Sequence, residues 1–330
     1  MYLKTGAPFT GRSLEQLKQF LASCGLDYDQ AISFTACMMD DDGEIIATAS
    51  LDGATLKCIA VSPAHQGEDM TGQLLTVLRR EAFDRGQEHL MLFTKPANQM
   101  MFASFGFYPV IRTSDCLLME SRRNGLDSFI SDIASASPKD GKIGCIVANC
   151  NPFTNGHRYL IESAATQCDT LHLFILSEDK PPFPAKDRLM LVQKGVHDIK
   201  NVLVHPTGPY MVSSATFPSY FIKDKARVDS IYCDLDMQIF AKKIAPALNI
   251  KCRFVGSEPY CRVTGFYNEQ MKKTLPQHGI ELIEIPRCEA AGEAVSASRV
   301  RRLMGEGRME EIRALVPETT YEYLSNLVHK

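Results

Sequence analysis

Apolar and polar positions follow two regimes along this chain. Over residues 1–125 they form short alternating runs, which predict strands at Ala31–Met39, Glu44–Ser50 and Thr55–Val61, with a turn at Asp40–Gly43. Leu74, Leu75, Val77 and Leu78 give one apolar face to a helix at Gly72–Phe83. A strand at His89–Thr94 follows, then a helix at Asn98–Phe105. Gly106 ends that helix, because it tolerates a left-handed backbone.

Between Asn124 and Lys142 the composition shifts toward Ser, Asp, Gly and Pro, and only Leu126–Ile133 is periodic. This places a first domain at 1–125, a linker at 126–140 with Ser135–Asp140 as its irregular part, and a second domain at 141–330. The second domain alternates buried strands with amphipathic helices, the pattern of a parallel sheet covered on both faces. Strands are expected at Ile143–Ala148, Leu171–Leu176, Val202–His205, Ser230–Tyr232, Cys252–Val255 and Glu281–Ile285. Helices are expected at Gly156–Gln167, Lys186–Val196, Ser214–Phe221, Asp236–Ala245, Asn268–Leu275, Ser298–Glu306 and Met309–Leu315. Both halves are therefore α/β, and the second is Rossmann-like. In open sheets of that kind ligands bind beyond the carboxyl ends of the strands.

Composition narrows the function classes. With 36 Lys and Arg against 39 Asp and Glu, the net charge is −3, and the cations are too dispersed to neutralise a row of phosphates, which argues against nucleic acid. No apolar run reaches the length of a membrane span, and residues 1–6 lack the charged-then-apolar order of a leader, so no membrane association and a cytoplasmic location are expected. The 11 cysteines are scattered, form no CxxC pair, and include Cys145 and Cys252 inside apolar strands. Reduced core thiols are the expectation, and no zinc site.

The chemistry concentrates after the first strand of the second half. Cys150, Asn151, Pro152, Phe153, Thr154 and Asn155 make a polar connection into a helix that opens with Gly156 and His157. Such a turn aims N–H groups and the positive end of the helix dipole into the crevice, where a triphosphate is the natural occupant. Gly156 allows close approach, and His157 can point a ring nitrogen at a phosphate oxygen. After another strand, Gly256, Ser257 and Glu258 offer a place where an adenine or ribose can come near the backbone. Asp236 is read as a helix cap, and His172 and His205, inside strands, as core or edge residues.

Thr154, Asn155, Gly156 and His157 resemble the TxGH form of the HxGH signature of nucleotidyltransferases. Val295, Ser296, Ala297, Ser298, Arg299, Val300 and Arg301 resemble that superfamily's late ISSTxxR motif, with Ala297 replacing one serine. In that motif Ser298 is expected to cap a helix whose N–H groups face the β and γ phosphates, and Arg301 to add a planar fork of donors. The stretch NPFTNGHRYLIE, together with Pro206–Lys223 and Ile239–Ile250, resembles the citrate lyase ligase family in particular. That resemblance implies ATP as a substrate, Mg2+ bridging its phosphates, and acetate as the acid activated. It implies Lys180 and Arg188 as basic residues near the phosphates, and His157, Thr154, Ser298, Arg301 and Lys180 as the catalytic set. Asn151, Pro152, Phe153, Gly156, Arg188, Gly256, Ser257, Glu258, Ser296 and Arg299 would line the nucleotide.

In the first half, Gln66, Gly67, Glu68, Asp69 and Met70, with Asn98, Phe102, Gly106 and Phe107, resemble a degraded acetyl-CoA loop of the GNAT acyltransferases. Asp69 stands where a glycine is usual, and its carboxylate would repel a pyrophosphate. The family resemblance is consistent instead with this domain receiving the CoA-like prosthetic arm of the citrate lyase acyl carrier subunit, or the carrier itself; a domain retained for stability or dimerisation is the alternative. The implied reaction is ATP-dependent acetylation of that arm's thiol through an acetyl-adenylate. Two other readings share these motifs: an adenylyltransferase acting on a phosphorylated cofactor precursor, and an acyltransferase or acyl-CoA sensor run by the first domain.

Overall fold

The computed structural model describes residues 1–179, 181–211, 213, 216–258, 261–290 and 292–328. The chain falls into two compact units, one of residues 1–126 and 217–235, the other of residues 127–216 and 236–330.

The first unit is built on a seven-stranded sheet. Its strands are β1 (Tyr2–Gly6), β2 (Phe34–Met39), β3 (Ile45–Asp52), β4 (Thr55–Val61), β5 (Met91–Thr94), β6 (Tyr108–Arg112) and β7 (Leu117–Glu120), in the order β1-β2-β3-β4-β5-β7-β6. Neighbours are antiparallel except β4 and β5, whose parallel pairing covers only Thr55↔Met91 and Leu56↔Leu92. Helices α1 (Gly11–Ser23), α2 (Met70–Asp84) and α3 (Gln99–Ser104) pack on it. Alternate residues of β3, Ala47, Ala49 and Leu51, point into one core with Leu74, Leu75 and Leu78 of α2, so the period of two in the strand meets the period of 3.6 in the helix. Gly106, with φ of 78°, ends α3 as expected.

The second unit carries an all-parallel sheet of β8 (Ile143–Ala148), β9 (Thr170–Ile175), β10 (Val202–Pro206), β11 (Ile250–Gly256) and β12 (Glu281–Ile285), ordered β10-β9-β8-β11-β12. The remaining helices of the chain, in order, are α4 (Gly125–Ser135), α5 (Asn155–Ala165), α6 (Ala185–Gly195), α7 (Val228–Ile239), most of which belongs to the first unit, the one-turn α8 (Ala245–Ala247), α9 (Arg262–Thr274), α10 (Ala297–Gly305), α11 (Met309–Ile312) and α12 (Glu318–Val328). A π-helical stretch, Phe240–Ile244, joins α7 to α8. The strand order reverses between β8 and β11, so the crevice of this α/β sheet opens beside the segments that follow those two strands. Ile146, Leu171, Leu173 and Phe254 fill the core with Ile161 of α5 and Leu191 of α6.

Three expected elements differ. The strand at Ser230–Tyr232 is part of α7, and the helix expected to begin at Asp236 is the continuation of that same helix. Asp236 accordingly caps nothing: it is buried inside α7 and accepts a hydrogen bond from the Tyr267 hydroxyl, facing Arg253. The helix expected at Ser214–Phe221 is not formed over 216–221, where Pro218 lacks the N–H a helix needs; Ser214 and Ala215 lie outside the described residues. Of the span expected as a linker, residues 126–135 are helical, within α4. Among the described residues, no helix is long and apolar enough to cross a membrane.

Candidate nucleotide site

Helix α5 begins with a reciprocal cap. Thr154 is the N-cap in an extended conformation, its Oγ1 accepts the His157 N–H at 3.3 Å, and His157 Nδ1 accepts the Thr154 N–H at 3.1 Å. Because Nδ1 is an acceptor, the neutral ring carries its proton on Nε2 and is a donor there. Burial, reinforced by the charge of Arg287, pulls the His157 pKa down to about 4, so this donor is neutral at pH 7. Phe153 is fully buried below, stacked on the His157 ring with centroids 6.0 Å apart. It packs so tightly on α6 that a Cβ on Gly195 would lie 2.3 Å from its ring.

Helix α10 begins with a serine cap two residues earlier than expected. Ser296, not Ser298, is the N-cap, and its Oγ accepts the Arg299 N–H at 3.2 Å. Ser298 lies inside the first turn, its hydroxyl 3.1 Å from that of Ser296. Arg301, one turn on, donates to the main-chain oxygen of Asn151. The two motifs thus meet directly, and Gly156 shows how closely: a Cβ there would stand 2.5 Å from the Val295 carbonyl oxygen.

Between the two helix starts lies a cavity of about 750 Å³. Of the residues singled out in the sequence, Gly156, His157, Ser296, Ser298, Arg301, Gly256 and Glu258 line it. Asn151, Pro152, Phe153 and Thr154 are buried and support the α5 turn from below. Ser257 takes part through its backbone, its carbonyl accepting Arg287 Nε at 2.7 Å. Arg299 is turned to Glu293, 3.2 Å away. Lys180 lies outside the described residues. Arg188 is fully buried and spends its donors on oxygens of two connections: Asn149 O at 2.7 Å and Asn149 Oδ1 at 2.6 Å after β8, and Phe183 O at 3.2 Å and Glu178 O after β9. Its task here is to tie those connections together.

Two helix N-termini, the serine hydroxyls, Arg301 and a neutral imidazole donor make a surface complementary to a polyanion. Among the described residues no group of three or more His, Cys, Asp or Glu is placed to hold a metal ion.

Residues 143–324 match the family model described as the citrate lyase ligase C-terminal domain. A [Citrate [pro-3S]-lyase] ligase of Klebsiella pneumoniae is 41% identical over 316 residues, covering 94% of this chain and 91% of the relative. This chain belongs to the citrate lyase ligase family. The relative of the same name from Escherichia coli K12 is 39% identical, covering 96% of this chain and 92% of its own length. A GNAT-family acetyltransferase structure from Staphylococcus aureus aligns over 37% of this chain and 99% of its own, 14% identical, with a TM-score of 0.32. As a member of a ligase family this chain is a ligase, and the matched span contains both helix starts and the cavity between them.

Arg287 went unnoticed in the sequence, although it lines the cavity and bears on His157. It belongs to neither motif. The available signal was its place directly beyond the carboxyl end of a parallel strand, β12.

Proposed function

We propose that this enzyme activates citrate lyase by acetylating the thiol of a CoA-like arm on the acyl carrier subunit, in the cytoplasm, using ATP and acetate. The observation that carries this reading is the shared cavity: His157 and Ser298 come from motifs far apart in the chain, and both line one polyanion-complementary surface. Acetate oxygen would form a bond to the α-phosphorus while the bond from that phosphorus to pyrophosphate breaks, leaving acetyl-adenylate. His157 Nε2–H, Ser298 and Arg301 would stabilise the charge that builds on the phosphate oxygens, and no protein nucleophile is needed. Mg2+, bound through the phosphates, would neutralise part of their charge. The arm's thiol would then attack the acetyl carbonyl, forming the thioester and releasing AMP.

A cavity of about 550 Å³ in the first unit supports a role for residues 1–125 in receiving the arm. Ile59, Ala60 and Val61, beyond the last pairing of β4 with β5, line it together with Asp69 and Met70. Asp69 is the left-handed N-cap of α2, with φ of 51°, so a carboxylate occupies the place where a helix start would otherwise favour an anion. That suits the amide-bearing stretch of an arm better than its phosphates.

The test is to mix the protein with ATP, acetate and deacetylated citrate lyase. One AMP should appear per restored thioester, and lyase activity should return. AMP retained covalently in a dinucleotide product would show an adenylyltransferase instead.

A further inference from the structure

Bringing a carboxylate to a triphosphate sets one anion against another, and the cavity holds a second cation suited to the smaller of them. Arg287 stands just beyond β12, on a different element from Arg301. Its Nε donates to the Ser257 carbonyl at 2.7 Å and its Nη2 to the Glu258 carboxylate, while Glu258 also accepts the Cys261 N–H at 3.0 Å. The guanidinium plane is thereby fixed, and its charge is felt at His157.

Glu258 lines the same cavity. A polyphosphate laid against this end would meet the Glu258 carboxylate with several negative charges, whereas a monocarboxylate brings a single charge to the guanidinium. The polyanion belongs instead at the helix starts and Arg301. Leu160, Pro286 and Tyr159 add apolar wall for a short hydrocarbon tail.

We propose that Arg287 receives the carboxylate of the acid substrate, a small monocarboxylic acid, and that Glu258 is the positioning residue that holds its guanidinium. The proposal rests on the nucleotide reading above. Arg287 acts only while the acid is charged. Once the acid is joined to AMP as a mixed anhydride its free carboxylate is gone, and the thiol-transfer step no longer needs the cation.

The experiment separates the two half-reactions. In acetate-dependent exchange of pyrophosphate into ATP, Arg287→Lys and Arg287→Met should raise the acetate KM about 10- to 100-fold, as loss of a charged hydrogen-bonded contact does. The ATP KM should stay within about threefold. Glu258→Gln should give a smaller rise in the acetate KM. Supplied with preformed acetyl-adenylate, Arg287→Met should acetylate the carrier thiol at about the wild-type rate. A rise in the ATP KM with the acetate KM unchanged would make Arg287 a phosphate ligand and overturn the proposal. Equal loss of both half-reactions in Arg287→Lys and Arg287→Met would reduce it to a structural role and overturn it too. Absence of acetate-dependent exchange in the wild type is a different result, and it would remove the nucleotide reading itself.

Discussion

Gly156 sits where a Cβ would come within 2.5 Å of the Val295 carbonyl oxygen. That oxygen is main chain and cannot swing aside, so the first turn of α5 and the approach to α10 are locked together by the absence of a side chain. Gly156→Ala should push the two motifs apart. The expected outcome is a loss of about 1–3 kcal/mol in urea unfolding, together with at least a tenfold weaker affinity for an ATP analogue.

The reciprocal cap fixes His157 as a neutral Nε2 donor, with a pKa of about 4. Its ionisation therefore falls below the usual working range, and the rate of exchange should show no inflection from this ring between about pH 5 and 8. His157→Ala should cut the exchange rate about 10²- to 10³-fold, the scale of removing one donor to a developing oxyanion. A pH profile of kcat on the wild type and a rate for the variant check both.

On β9 and β10, His172 Nδ1 lies 3.0 Å from His205 Nε2, and burial lowers both pKa values to about 4 from an ordinary 6.5. Below pH 6.5 the unfolded chain takes up protons that the folded pair refuses. The pair's contribution is complete above about pH 6.5 and is lost as pH falls toward 4. His172 is fully buried, so its share should be about 2 kcal/mol. Urea midpoints at pH 7.5 and 5 should differ more in the wild type than in a His172→Phe, His205→Phe double variant, whose steeper loss at pH 5 would refute the assignment.

Arg188 gathers oxygens from Asn149, Glu178 and Phe183 with no exposed surface of its own. Arg188→Ala should cost about 3–5 kcal/mol, because several buried oxygens lose their donor at once. Arg188→Lys should recover little of it, since an ammonium cannot reproduce the fork. Thermal unfolding of both variants measures this. A stable Arg188→Ala protein with a raised ATP KM would return Arg188 to the phosphates.

The parallel sheet was legible because β8 and β12 are continuous apolar or alternating runs bounded by turns, and β11 differs from its expected span only at its ends. The two helix starts were legible because caps and phosphate cradles need particular residues at fixed spacing. The strand expected at Ser230–Tyr232 failed for a physical reason: Ile231, Cys233, Leu235 and Met237 are buried at every second position of a helix enclosed over much of its circumference, which imitates a strand. β1 has a largely exposed pattern, and β6 and β7 are short, so none of the three left a clear alternation to read. The cap at Ser296 rather than Ser298 is a shift of two residues that only backbone geometry decides. The Arg287–Glu258 pair joins residues near in space but attached to different strands, and no local pattern announces it.

The central claim, that the α5 and α10 starts grip one triphosphate, is tested most directly by a crystal structure with a non-hydrolysable ATP analogue. The account predicts phosphate density between His157 and the Ser296–Arg301 turn, with His157 Nε2 within hydrogen-bond reach of a phosphate oxygen. Nucleotide bound elsewhere, with that cavity holding only solvent, would contradict it.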